Sequence, residues 1–213
     1  MGKSIAQLLL RMYDTGSGSI ELDGKPIRNV DLKFLRERIS YVPQDVFLFS
    51  ETIANNIGFG TEKVERSAAE KAAGQASIEN EILGFPQQFE TLVGERGVTL
   101  SGGQKQRISI ARALIKDPSL VIFDDCLSAV DIRTEKEIIS NLNEYLHDKT
   151  AIVITHRIFS LFTFDQIIVL EDGKIAEQGK HHQLLAKAGI YAGLYARQQE
   201  QDSVLDESEP ENQ

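Results

Sequence analysis

At 213 residues, with 41% hydrophobic and 26% charged residues, the chain is long enough to bury a core as one or two domains. No window approaches the run of at least about 18 apolar residues that a membrane helix needs, and the N-terminus lacks a basic-then-apolar signal pattern, so any membrane role has to come through a partner or a further segment. Six of the nine excess negative charges (Glu200, Asp202, Asp206, Glu207, Glu209 and Glu211) follow the last basic residue, Arg197, and the near-neutral body lacks the basic stripe of a nucleic-acid binder, so no nucleic acid is expected as a partner.

Ile5, Leu8, Leu9 and Met12 recur at helical spacing and predict a helix over residues 4–13. "DTGSGSIELDGKPI" alternates β-prone pairs with Gly turns and predicts a hairpin, followed by a helix over about 31–38 and a β-rich run, "ISYVPQDVFLF", interrupted by Pro43. From 52 to 116 strand signals nearly vanish. An Ala-rich helix over Arg66–Gln75 and a long helix over about 102–116, ended by Asp117-Pro118, suggest a helical insertion between two parts of one sheet domain. "SLVIFDD" and "TAIVITH" are short apolar runs separated by a helix over about 132–146, the pattern of a parallel sheet covered on both faces. "FDQIIVLEDGKIAEQG" predicts a last hairpin, with a helix over about 182–195 and a solvated, disordered acidic tail over 199–213. The lone Cys126 excludes an internal disulfide. Beside two aspartates its thiolate is disfavoured, which makes it a small buried packing residue rather than a nucleophile.

Three short stretches carry chemistry. Gly2-Lys3-Ser4 precedes a helix as the end of a phosphate loop does, where amides cradle phosphates, a lysine neutralises them and a hydroxyl meets Mg²⁺; alone it also reads as a surface lysine beside a helix cap. "LVIFDD" delivers Asp124 and Asp125 at the end of an apolar strand, placed to hold a Mg²⁺ water shell and to polarise an attacking water. "LSGGQKQRISIARAL" opens a helix with Ser101-Gly102-Gly103. Two glycines there cost helix stability for no structural gain, so the exposed amides point to a second anion site.

Together these residues resemble the nucleotide-binding domain of an ATP-binding cassette (ABC) protein over all but the tail. Gly2-Lys3-Ser4 is similar to the end of Walker A, Gln44 to the Q-loop, residues 100–104 ("LSGGQ") to the signature, 121–125 to Walker B, 128–131 with Asp131 to the D-loop, and His156 to the switch histidine. The resemblance implies an α/β fold: a P-loop NTPase-like, mostly parallel sheet with helices on both faces, an inserted α-helical subdomain and a small antiparallel β element. It places the ATPase core at 1–50 and 117–198 and the helical subdomain at 51–116. It also implies two domains closing head-to-tail on ATP and Mg²⁺. Gly2, Lys3, Ser4, Gln44, Asp124 and His156 would act from one side, with Ser4, Gln44 and Asp124 at the metal, and Asp131 would also bind the nucleotide. Ser101, Gly102, Gly103 and Gln104 would act from the other, and Asp125, His156 and Gln44 would be catalytic.

"DVFLFSETIANNI" and "TLVGERGVTLSGGQ", with Glu95, resemble the exporter branch, in which apolar residues such as Val46, Phe47, Leu48 and Phe49 line a groove for a coupling helix of a membrane domain or a buried strand. The expected place is then the cytoplasmic face of a membrane. A soluble non-transport ABC ATPase or a regulatory nucleotide-binding module is the alternative. Two departures from the family stand out. The loop begins inside Walker A, so a longer gene is expected upstream and the chain by itself should bind ATP poorly. Asp125 stands where the family's active domains carry Glu, shortening the reach by on the order of 1.5 Å, which implies a weak hydrolytic site and a heterodimeric partner that carries the Glu.

Overall fold

The computed structural model describes residues 2–94, 97–159 and 162–206, excepting the side chains of Lys3 and 201–206. By contact these form two units, Gly2–Ile154 and the chain from Thr155 onward.

In the first unit a helix, α1 (Gly2–Leu9), precedes a two-residue-by-two-residue antiparallel hairpin, β1 (Glu21–Leu22) and β2 (Lys25–Pro26), and a helix α2 (Leu32–Arg38) capped by Asp31, whose carboxylate accepts from the Phe34 amide at 2.8 Å. Helix α1 ends earlier than the apolar spacing predicts. The β-rich run after α2 forms only a short strand, β3 (Ile39–Val42), before Pro43 breaks it. Val46 to Phe49 are irregular, and Phe47 is 68% exposed, so the buried-strand expectation for this stretch does not hold.

Strands β3, β4 (Leu120–Asp124) and β5 (Thr150–Ile154) form the expected parallel sheet in the order β3-β4-β5. Register pairs Tyr41 with Ile122 and Asp124 with Ile154. Alternation then puts Ile39, Tyr41, Leu120, Ile122, Asp124, Ile152 and Ile154 on one face, and their apolar members join Ala6 and Leu10 of α1 and Leu35 of α2 in one core. On the helical side, α3 (Ile53–Ile57), α4 (Arg66–Gln75) and α5 (Glu79–Leu83) gather with α6 (Gly102–Leu114), which packs on β3, while α4 also meets α7 (Ile132–Tyr145). Glu95, of the "GERG" loop, lies outside the described residues.

The second unit contains the last hairpin, β6 (Ile167–Glu171) and β7 (Lys174–Gly179), turned by Asp172 and Gly173 at positive φ (48° and 80°), the conformation a two-residue turn requires. The single helix predicted after it is two helices, α8 (His181–Ala186) and α9 (Ile190–Asp206). Glu177 accepts from the Ile190 and Tyr191 amides at 2.8 and 3.0 Å and so supplies the negative charge that the start of α9 favours. Helix α9 continues past residue 198, where a disordered tail was expected to begin, to Asp206; the rest of that tail lies outside the described residues. No helix among the described residues is long and apolar enough to cross a membrane.

Candidate functional site

The C-terminal edge of a parallel sheet collects whatever follows its strands. Asp124, the last residue of β4, is 1% exposed and faces the α1 side of the sheet. Its Oδ2 accepts a hydrogen bond of 2.7 Å from the Tyr41 hydroxyl. Burial of the phenol, followed by its bond to the carboxylate, pushes Tyr41 far above its ordinary pKa and keeps it a donor. Helix α1 starts at the same edge, with Gly2 backed onto Ile154, the register partner of Asp124; a Cβ on Gly2 would collide with the Ile154 side chain. Ser4 is exposed in the first turn of α1, and the Lys3 side chain lies outside the described residues.

Asp125 extends the β4 ladder by one bond, its amide donating to the Ile154 carbonyl at 2.8 Å, and then turns the chain at φ 47°, a left-handed conformation that Asp tolerates better than most residues. Its Oδ2 accepts from Gln44 Nε2 at 3.0 Å. Gln44 and Asp125, 81 positions apart in sequence, therefore meet at the edge that holds Asp124. The donors here, a carboxylate, a hydroxyl and an amide, are hard oxygens. Among the described residues no group of three or more His, Cys, Asp or Glu is placed to hold a metal ion. Such a sparse set fits Mg²⁺, which keeps waters and shares its shell with phosphates. Cys126, next in the chain, is buried, and burial pushes its thiol up to about 12, as a packing role requires.

The second predicted feature, the start of α6, is built for exposure. Ser101 caps the helix: its Oγ accepts from the Gln104 amide at 3.2 Å, and its own amide donates to Gln104 Oε1 at 2.9 Å, a reciprocal capping box. Ser101 and Gly102 are exposed, and the Gly102 and Gly103 amides belong to the first turn, which has no intrahelical acceptor. Gln104, expected among the nucleotide-binding residues, uses both ends of its amide within the domain, donating through Nε2 to Glu81 at 2.8 Å. The buried Arg107 completes the brace with bonds to Glu81 (2.5 Å) and the Ser77 carbonyl (2.8 Å). Burial disfavours the Glu81 carboxylate, but the hydrogen bonds from Arg107 and Gln104 outweigh it and hold its pKa below the usual range. A group depressed in the folded state contributes stability that is present above its unfolded pKa and lost as pH falls through the folded value. For this part-exposed pair that contribution is on the order of 0.5–1 kcal/mol. The stability difference between wild type and Glu81→Gln in urea titrations is therefore expected to be present at pH 7 and to fade as pH falls below about 4.

Gly103 explains one of the two glycines. A Cβ there would lie 2.9 Å from the Ala129 carbonyl oxygen, whereas one on Gly102 would meet the Ala129 Cβ at an ordinary 3.4 Å. Gly103→Ala is expected to cost about 1–3 kcal/mol by forcing the two backbones apart, and Gly102→Ala to be neutral or stabilising by up to about 1 kcal/mol. Paired thermal unfolding curves check the contrast. The same contact continues inward. Gln106 donates to Ser128 Oγ at 3.3 Å and accepts from the Ala129 amide at 3.0 Å, and Ser128 Oγ donates to the Asp125 carbonyl at 3.1 Å. Asp131, also expected at the nucleotide, caps α7 by accepting from the Thr134 amide at 2.9 Å, and that bond lowers its pKa.

His156 lies in the second unit, exposed and two residues past the end of β5 in the chain. Within that unit Gln198 of α9 clamps the segment that follows it, accepting from the Ile158 amide at 2.7 Å and donating to its carbonyl at 2.8 Å.

Tyr41, Glu81, Arg107 and Gln198 carry no local motif that singles them out in the sequence. Tyr41 was legible in principle, because alternation along "ISYV" puts it on the face of the acids; the other three depend on helices brought together only by the fold.

The ABC transporter family model matches residues 1–128. The chain is 45% identical over 213 residues to ATP-binding cassette sub-family B member 6 of Mus musculus (99% of this chain, 25% of that protein). It is 43% identical to the ATM1-type heavy metal exporter of Novosphingobium aromaticivorans (97% and 34%), and 47% identical to the probable multidrug resistance ABC transporter ATP-binding/permease protein YheI of Bacillus subtilis (92% and 34%). It thus spans about a quarter to a third of these relatives. A solved structure described as a bacterial Atm1-family ABC exporter with ATP bound superposes with a TM-score of 0.88 at 44% identity, covering 92% of this chain and 35% of that one. The chain belongs to the ABC transporter family, with the fold of an exporter nucleotide-binding domain.

Proposed function

We propose that this domain binds and hydrolyses ATP to drive export through a membrane domain at the cytoplasmic face, and that it works by closing head-to-tail on a second nucleotide-binding domain. One half-site draws on Lys3, Ser4, Gln44, Asp124 and Asp125, with Ser4, Gln44 and Asp124 holding Mg²⁺, which when bound neutralises phosphate charge; His156 takes the switch role by its motif resemblance alone. The other half-site is the start of α6. The observation that carries the reading is the exposed, capped first turn of α6, whose Gly102 and Gly103 amides have no partner in their own helix and suit a phosphate supplied from outside. Closure excludes water, and loss of the γ-phosphate releases the dimer.

Residues 51–116 act as the helical subdomain that carries this turn. The exposed Phe47 and the Phe49–Phe59 stack, 4.4 Å between centroids, offer an apolar docking surface for a coupling helix. Arg112 ties that surface to α6 by donating to the Phe47 and Asn56 carbonyls at 3.0 and 2.7 Å. A push on the docking surface thereby reaches the helix that carries the second half-site.

Asp125 makes this the weaker hydrolytic half of a heterodimer, because its carboxylate is one methylene short and is held by Gln44. In the assembled exporter, Asp125→Glu is expected to raise turnover at this site by about 10-fold or more. Site-resolved hydrolysis, with the facing site blocked, checks this; unchanged turnover would mean that the Asp works as well as Glu and that the site is not degenerate.

A further inference from the structure

We infer that Tyr41 is a positioning residue for the metal-binding carboxylate, an inference that rests on the proposed ATP and Mg²⁺ role of this edge. Tyr41 pairs with Ile122, and Asp124 lies two residues further along β4 on the same face, so the ring stands one step below the carboxylate. The length of the phenol closes that step, and its hydroxyl reaches Oδ2 at 2.7 Å. A shorter side chain on this face, such as the Ile39 two positions back, cannot do so.

The bond matters because of where Asp124 is. It is 1% exposed. A buried carboxylate without a partner rotates to find one or takes up a proton. Here a neutral donor occupies Oδ2 and fixes the plane of the group, leaving Oδ1 to the proposed cation. A lysine or arginine in the same place would satisfy the carboxylate and weaken its hold on the metal. The tyrosine orients it without neutralising it, as the hydrogen-bonding partners of metal ligands generally do. The ring also packs against the α1-side core, so its own position is set by burial rather than by the metal.

Tyr41→Phe keeps the ring and its packing and removes only the donor. The test uses the assembled exporter with the facing domain's own phosphate-binding lysine replaced, so that nucleotide sits only at this site. ATP affinity is measured in EDTA and in Mn²⁺, and Mn²⁺ affinity by electron paramagnetic resonance at saturating ATP. The expected result is an unchanged ATP affinity in EDTA with Mn²⁺ affinity reduced by about 10-fold. Adding Tyr41→Phe to Asp124→Asn is expected to change nothing further. Equal Mn²⁺ affinity in wild type and Tyr41→Phe overturns the positioning role, as does an equal loss in EDTA, which would mark a purely structural one. A wild-type assembly that binds no ATP overturns the proposed function itself, a result distinct from either.

Discussion

Gly102→Asp is expected to lower ATP turnover of the assembled exporter by about 100-fold or more while leaving the domain as stable as wild type or slightly more so. The position is exposed, and a Cβ there meets only the Ala129 methyl at 3.4 Å, so the new side chain has room. It is also the first residue of α6, where the helix field favours a carboxylate, worth about 0.3–1 kcal/mol to the fold. That same field and the same amides are what the proposed mechanism offers to a phosphate, and a fixed carboxylate both occupies them and repels the negatively charged triphosphate. Stability and function should therefore separate at one residue. Urea denaturation of the chain and steady-state turnover of the assembly measure the two arms. Turnover within about threefold of wild type would remove the start of α6 from the reaction.

The largest expected stability loss lies at Asn56. Its side chain is fully buried and holds the irregular segment after Gln44 in shape: Nδ2 donates to the Phe49 and Thr52 carbonyls at 3.0 and 3.1 Å, and Oδ1 accepts from the Phe49 amide at 2.8 Å and from Arg112 at 3.1 Å. Asn56→Ala takes these partners from the Phe49 amide and carbonyl and removes one bond of Arg112, whose guanidinium keeps the Phe47 and Asn56 carbonyls, and is expected to cost about 2–4 kcal/mol, a large share of the 5–15 kcal/mol by which domains are typically stable. Asn55 is the internal control. It is exposed, and among the described residues its side chain hydrogen-bonds Glu51, at 3.2 Å on the surface, so Asn55→Ala is expected to change stability by no more than about 0.5 kcal/mol. Midpoints of urea denaturation compare the two, and equal losses would contradict this account of the segment.

The sheet was legible because its strands are short, apolar on both faces and bounded by acids or Pro: "LVIFD" and "TAIVI" form β4 and β5 with the expected parallel pairing. Arg66–Gln75 was legible for the opposite reason, as an alanine-rich stretch with no strand former to compete. "DVFLF" was misleading. Its apolar residues look like a strand, but Pro43 stops the ladder, and Asn56 and Arg112, from helices α3 and α6, fix the stretch as irregular chain. In the candidate site, the acids and the Ser101 cap could be read from local pattern. The hydrogen bonds of Gln104 and Asp131 could not, since a motif match does not reveal the capping box and the helix cap in which these side chains take part. Tyr41 and Glu81 lie between these cases, because each acts on a known motif from a strand or helix that only the fold brings alongside.

The account rests on one half-site reaching a nucleotide held by another domain, and photolabelling tests that most directly. An ATP analogue photoreactive at its γ-phosphate is bound to the assembled exporter, irradiated, and the labelled peptide identified by mass spectrometry. The account predicts label on residues 101–103 of this chain that is lost when the facing domain's phosphate-binding lysine is replaced and kept when this chain's own Lys3 is replaced. Label that follows Lys3 of the same chain, or that never reaches those residues, would contradict it.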